Sequence, residues 1–239
     1  NLGRSIRLFV SGGARLLPRI AKDLTKAGFK IVEGYGLTET SPVATLNPPE
    51  KIKFGSVGKA IPEVQIKIFN PDKFAVGEVL IKGPNVMRGY FKQPELTAQV
   101  ITEEWFHSGD LGYIDKDGYL FLTGREKDVI VLSSGKNIYP EELEELFLSQ
   151  SPFIKEICIL GVKDYKFAVE AESLYAVVVP DLEYFRQNNL VNVRDKIRWE
   201  IDNISKGLPS YQHIMGFSIA TEELPRTQLK KIKRYLVRQ

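Results

Sequence analysis

The 239 residues carry 33 Lys+Arg against 30 Asp+Glu, a net charge of +3 that is too balanced for a nucleic-acid-binding stripe or an acidic tail. At 43% hydrophobic and 10% aromatic, the chain can bury one large core or two medium ones and is not disordered in composition. A single cysteine (Cys158, inside the apolar run EICILGV) and two histidines exclude a disulfide framework, a cysteine cluster and a histidine metal site.

In chain order, residues 6–10 (IRLFV) form a short apolar run ending in SGG and predict a buried strand meeting a tight turn. Residues 15–27 place Leu16, Leu17, Ile20 and Leu24 at helical spacing, with Gly28 as the stop. FKIVEGYG then predicts a second strand, completing the strand–helix–strand unit of a parallel sheet. From Gly55 to Gly124 the alternating runs VQIKIF, EVLIKG and GYIDKDGYLFLTG, with Asp117-Gly118 at a turn, predict an antiparallel sheet or small barrel.

GREKD at 124–128 is a charged, strand-poor break and reads as a linker. Beyond it come VIVL, the turn SSGK, and a helix opening at Pro140 with Glu141, Glu142, Glu144 and Glu145 near its start. IKEICILGV and SLYAVVVP predict two further strands, and 191–206 an amphipathic helix with Val193, Ile197 and Ile201 on one face. The last segment, LKKIKRYLVRQ, is short and basic. The predicted architecture is a piece of α/β domain, an antiparallel β subdomain, a linker and a small α+β domain.

Three glycine-rich turns are candidate nucleotide loops: SGGAR at 11–15, GYGLTET at 34–40 and SSGK at 133–136. None is a Walker-type loop. GYGLTET offers an aromatic (Tyr35), two hydroxyls (Thr38, Thr40) and a carboxylate (Glu39) at the end of an expected parallel strand, where ligands of α/β proteins dock. By residue type alone, a tyrosine packed on its strand before a Thr/Glu helix start is the simpler account of that segment.

The order GYGLTET, GEVLIKGPNVMRGYF, WFHSGDLGYIDKDGYLFLTGREKDVIVLSSGKNIYPEELE and LPRTQLKKIKR resembles the acyl-adenylate-forming superfamily over essentially the whole chain. EGYGLTETSP with GREKDVIVLSSGKNIYPEE is most similar to the medium- and long-chain fatty-acid CoA ligases. The resemblance implies residues 1–126 as the end of a large AMP-binding domain and residues 127–239 as a small mobile domain.

It also implies site roles. The backbone of Gly12, Gly13 and Ala14 passes along adenine, Tyr35 stacks on it, Thr38 bonds the α-phosphate and Glu39 binds Mg²⁺. Asp110 and Arg125 hold the ribose, Lys127 is the hinge, and Ser133, Ser134, Gly135 and Lys136 form the loop on the CoA side. Lys231 falls at the catalytic lysine, preceded by Lys230 where the family carries Gly. His107 and Trp105 are expected to order the turn that presents Asp110.

The implied substrates are ATP, a fatty acid and CoA, the last as acceptor in place of a protein cysteine. An acyl carrier protein as acceptor, and a short non-catalytic nucleotide-binding or interaction module, remain the alternatives. The family's Ser/Thr/Gly-rich phosphate loop does not occur in residues 1–239, and Asn1 stands where Met would. The chain therefore reads as the C-terminal portion of a longer enzyme, inactive alone. The absence of an apolar stretch of roughly 20 residues makes a cytoplasmic protein without a transmembrane segment the expectation.

Overall fold

A computed structural model describes residues 6–163, 166–167, 170–227 and 231–237. The chain divides into two compact units, Asn1–Glu126 and Lys127–Gln239.

In the first unit, β1 (Phe9–Ser11) pairs parallel to β2 (Ile31–Tyr35), with α1 (Pro18–Lys26) between them. Helix α1 begins three residues later than helical spacing predicts. Proline suits the first helical position, and it drives the preceding Leu17 into extended backbone (ψ 128°), so the helix cannot start earlier. Two short antiparallel strands, β3 (Thr45–Leu46) and β4 (Lys59–Ala60), extend this sheet in the order β1-β2-β3-β4.

The remainder of the unit is antiparallel: β5 (Gln65–Phe69), β6 (Gly77–Lys82), β7 (Ile101–Thr102), β8 (Trp105–Ile114) and β9 (Leu120–Arg125). Helix α2 (Pro94–Val100) precedes β7. It is an open sheet ordered β5-β6-β8-β7 with β9 added on β8. Val79, Ile81, Phe106 and Leu120 on its inner face pack with Tyr35, Ala44 and Val64 into one core. Strand β9 runs on through Arg125, so Gly124 and Arg125 belong to the sheet and not to the charged break; a 3₁₀ turn, Glu126–Asp128, follows.

The second unit opens with β10 (Ile130–Leu132) and β11 (Asn137–Ile138), an antiparallel pair closed by SSGK, with β14 (Glu170–Ala171) parallel on the other side of β10. Its main sheet has the order β13 (Lys166–Phe167), β12 (Ile154–Lys163), β15 (Ser173–Pro180), β16 (Ile214–Ile219). Helices α3 (Pro140–Gln150) and α5 (Val193–Ser205) contribute Leu143, Phe147, Ile197, Ile201 and Ile204 to a core shared with Ile157, Ile159, Leu174, Ala176 and Val178. Helix α4 (Leu182–Gln187) follows β15, capped by Asp181.

Cys158 lies in a second cluster with Val177, Val179, Leu224 and Val237, and burial pushes its thiol up to about 12. It is core, as its apolar setting in the sequence predicts. No helix among the described residues is long and apolar enough to cross a membrane.

The turn leaving β2 is closely packed: a Cβ on Gly36 would sit 2.0 Å from the Pro42 carbonyl oxygen. Gly36→Ala is expected to destabilise this unit by about 3 kcal/mol, the upper range for forced overpacking. The check is a lowered urea midpoint followed by Trp105 fluorescence in a Trp199→Phe background; an unchanged midpoint would remove the contact.

Candidate nucleotide site

Strands β1 and β2 run in the same direction, and their carboxyl ends deliver SGGA and GYGLTET to one edge of the sheet. Gly12, Gly13 and Ala14 are exposed there, and Gly13 has φ +78°, a backbone state that glycine adopts freely. After β2, Thr38–Thr40 forms a 3₁₀ turn, with the Leu37 N–H donating to Thr40 Oγ1 at 2.9 Å. Thr38 is left exposed and Glu39 half-buried.

Two backbone clamps fix this turn from the neighbouring loop. The Met87 N–H donates to the Glu39 carbonyl at 2.8 Å, and Asn85 Nδ2 donates to the carbonyls of Thr40 and Val43 at 3.0 and 2.8 Å. The Tyr90 hydroxyl then donates to Glu39 Oε1 at 2.8 Å. Partial burial, together with that carboxylate, raises the pKa of the Tyr90 phenol.

Asp110 is placed by an irregularity in β8. Glu78 pairs with Leu111 and Leu80 with His107, so Ser108, Gly109 and Asp110 oppose the single residue Val79. A bulge re-aims a side chain out of the regular alternation. Gly109 takes φ +65°, the Ser108 hydroxyl donates to the Val79 carbonyl at 2.6 Å, and the Asp110 N–H donates back to Ser108 Oγ at 3.1 Å. Glu78 braces the same bulge: Oε1 accepts the Gly109 N–H at 3.0 Å and Oε2 faces His107 Nδ1 at 2.8 Å. His107 thus acts on the turn through Glu78, while Trp105 pairs with Thr102 at the foot of the hairpin.

The bulge brings three predicted residues together. Tyr35 Oη donates to Asp110 Oδ2 at 2.7 Å, and Arg125 Nε, cross-strand partner of Asp110 in β9, donates to Oδ1 at 2.7 Å. Asp110 is 6% exposed and Tyr35 9% exposed, so most of the Tyr35 ring is committed to the core. Burial and the adjacent Asp110 carboxylate push the Tyr35 phenol far up, keeping it a donor.

Beside this group lies a cavity of about 420 Å³ whose wall includes Glu39, Glu78, Tyr90, His107, Gly109 and Arg125. Asp110 and Tyr35 are not among its wall residues. Glu78 and Tyr90 were not singled out from the sequence; they lie 32 residues before Asp110 and 51 after Glu39, on strands and loops that only the fold brings near.

In the second unit, Ser133 to Lys136 form the β10–β11 turn. The Gly135 N–H donates to the Leu132 carbonyl at 2.7 Å, Gly135 has φ +75°, and Lys136 Nζ stands 3.9 Å over the Tyr211 ring. Lys127 is exposed in the turn Glu126–Asp128. Lys231 is exposed on a hairpin whose backbone is tied at Arg226–Ile232, and Lys230 lies outside the described residues.

The AMP-binding enzyme model matches residues 1–91, and the AMP-binding enzyme C-terminal domain model matches 127–239. The indoleacetate–CoA ligase of Aromatoleum aromaticum is 34% identical over 98% of this chain and 44% of its own length. A long-chain-fatty-acid–CoA ligase of Bacillus subtilis is 39% identical over 73% of this chain and 32% of its own length. The o-succinylbenzoate CoA synthetase of Bacillus subtilis, solved with its acyl-adenylate intermediate, superposes with a TM-score of 0.82 at 30% identity over 98% of this chain and 46% of that one. The same enzyme has been solved with ATP and a magnesium ion, at a TM-score of 0.80 and 28% identity over 98% of this chain and 46% of that one. The chain spans less than half the length of these relatives.

Tyr35→Phe deletes the hydroxyl that serves Asp110 and keeps the ring. It is expected to destabilise the first unit by about 1.5–3 kcal/mol, the range for a hydrogen bond to a charged group. Urea unfolding reads this directly, and a wild-type midpoint would show that the bond carries no weight.

Proposed function

The chain belongs to the AMP-binding enzyme family, and from that premise we propose that it carries the nucleotide-binding end and the mobile small domain of an ATP-dependent fatty acid–CoA ligase. The observation that carries the reading is the convergence of Tyr35, Asp110 and Arg125 beside a cavity walled by Glu39. Motifs separated by 75 residues in sequence share one carboxylate.

In the proposed first step the acid's carboxylate attacks the α-phosphorus of ATP, forming the acyl–phosphate bond and releasing pyrophosphate. Asp110 has both oxygens engaged, yet an ionised carboxylate offers about four acceptor positions, so it can still receive ribose hydroxyls. Arg125 reaches the ribose from the cavity wall, and the backbone of Gly12, Gly13 and Ala14 runs beside adenine. Tyr35 fixes Asp110 through its hydroxyl, and the small exposed part of its ring is proposed to meet adenine. Thr38 donates to the α-phosphate.

Glu39 suits a Mg²⁺ ion that arrives on the nucleotide, because Mg²⁺ is held through one or two carboxylates with phosphate and water completing its shell. Among the described residues no group of three or more His, Cys, Asp and Glu could hold a metal unaided. When bound, the ion supplies charge neutralisation at the phosphates.

Lys231 neutralises charge on the carboxylate and α-phosphate as the new bond forms, a stabilisation aimed at the transition state. For the second step we propose that the small domain turns about Lys127, withdrawing Lys231 and bringing Ser133–Lys136 to the adenylate, where the CoA thiol attacks the acyl carbonyl and AMP leaves as the acyl–phosphate bond breaks. CoA is the proposed acceptor because the three relatives named above are CoA ligases or synthetases by name, and none of the names points to a carrier protein. Fatty acid is the proposed acid because the EGYGLTETSP and GREKD–SSGK segments resemble that branch and a Bacillus subtilis relative bears that name. Residues 1–239 alone are proposed to be inactive, since they include no Ser/Thr/Gly-rich loop to grip the β- and γ-phosphates.

In the full-length protein, Lys231→Ala is expected to slow adenylation by about two to three orders of magnitude, the usual cost of deleting a transition-state electrostatic group. Thioester formation from preformed acyl-AMP should be largely retained, and equal losses in the two half-reactions would remove Lys231 from the role. Asp110→Ala should weaken ATP binding more than fatty-acid binding; unchanged ATP affinity by calorimetry would take Asp110 out of the ribose site.

A further inference from the structure

We infer that Glu144 and Glu156 are positioning residues for adenylation, clamping from two sides the basic hairpin that presents Lys231. The inference rests on the role proposed for Lys231 and asks what holds that lysine in place.

By composition the segment LPRTQLKKIKRYLV is a solvated, cationic tail. Its described parts, Leu224–Thr227 and Lys231–Val237, are nevertheless paired antiparallel at Arg226 and Ile232. The Thr227 N–H donates to the Lys231 carbonyl at 2.8 Å, the Lys231 N–H to Thr227 Oγ1 at 3.1 Å, and the Lys233 N–H to the Pro225 carbonyl at 2.8 Å. Lys231 is thereby fixed on both sides of its peptide while its side chain stays exposed.

Each arm of this hairpin ends on a buried carboxylate. On the entering arm, Glu156 of β12 accepts the Leu224 N–H at 2.9 Å and faces Arg226 Nη2 at 3.2 Å with the same oxygen. On the leaving arm, Glu144 of α3 receives the Arg234 guanidinium bidentately, at 2.5 and 2.6 Å, and also accepts the Ile159 N–H at 2.7 Å. Arg234 Nη1 donates further to the Ile159 carbonyl at 3.2 Å. Glu144 is 6% and Glu156 7% exposed, and Leu224 and Val237 are buried beside them.

Three N–H donors on the two oxygens of Glu144 make the ionised pair the state that fits. Burial pushes the Glu144 carboxyl up, and Arg234 works against that push. Two apolar contacts would hold the hairpin to the sheet, but they would not set its register. A bidentate fork does, because it is directional, and losing one partner leaves a buried charge. The anchors stand five residues before and three after Lys231. That spacing leaves the ammonium little freedom to wander, and positional error at a reacting group is costly.

The test removes each clamp while keeping its backbone acceptor: Glu144→Gln with Arg234→Met, and separately Glu156→Gln with Arg226→Met, in full-length protein. Adenylation is followed by acid-dependent ATP–pyrophosphate exchange, and the second step from preformed acyl-AMP. Each pair is expected to lower adenylation kcat roughly 10-fold and to leave the second step within about twofold. In a Lys231→Ala background the same pairs should cost nothing more, since a lysine that is absent needs no positioning.

Amide exchange at 231–237 should quicken while β12 and β15 stay protected. Arg234→Lys, which keeps the charge and loses the fork, should shift the same way by less. Equal loss in both steps, losses that add to Lys231→Ala, or unchanged adenylation would each overturn the clamp. If Lys231→Ala itself leaves adenylation intact, the underlying reading falls and the clamp's role with it. If Lys231→Ala abolishes adenylation and the pair variants do not touch it, only the clamp falls.

Discussion

Asp110 is a buried carboxylate held by a phenol on one oxygen and a guanidinium on the other, and the first unit is arranged so that this can happen. An ionised carboxylate out of water is tolerable only with such partners. Tyr35 comes from the parallel-sheet piece, Arg125 from the last strand of the antiparallel sheet, and Asp110 from the bulge between them. The interaction therefore joins two sheets and fixes the end of the unit one residue before Glu126. It also explains why β9 has to run through Arg125: a strand that stopped at Thr123 would leave Asp110 without its cation.

Much of this was readable from residue order. SLYAVVVP became β15 at Ser173–Pro180, Pro140 opened α3, and 191–206 contracted only to Val193–Ser205. These are long segments with one strong period or one strong start signal. The failures share a cause as well. Strands β3 and β4 are two residues each, too short to show any alternation, and exist because β2 offers β3 an edge and β3 in turn offers one to β4. Helical spacing put Leu16 and Leu17 on the helix, but Pro18 set the boundary and left both before it.

The site divides along the same line. Motif order pointed to Tyr35, Asp110 and Arg125, and the fold brings their side chains into contact. Residues acting across the fold left weaker marks. Glu78 and Tyr90 sit in runs that read as ordinary strand and loop, and only tertiary packing gives them Gly109, His107 and Glu39 as partners. Glu144 did leave a mark: Pro140, Leu143, Glu144 and Phe147 fall at helical spacing on the buried stripe of α3, and a carboxylate there demands a partner. Reading it only as an acid near the helix start missed that demand.

The two units thus hold their polar groups by the same device, a buried carboxylate that fixes a segment carrying a residue proposed to meet substrate. In the first unit the device sets a nucleotide-facing bulge; in the second it sets the Lys231 hairpin. The most direct measurement is acid-dependent ATP–pyrophosphate exchange by the full-length protein across a series of fatty acids, with indoleacetate and o-succinylbenzoate alongside. The account predicts robust exchange with fatty acids and little with the two aromatic acids. Exchange with the aromatic acids but not the fatty acids, or with neither class, by a folded protein that binds ATP, would contradict it.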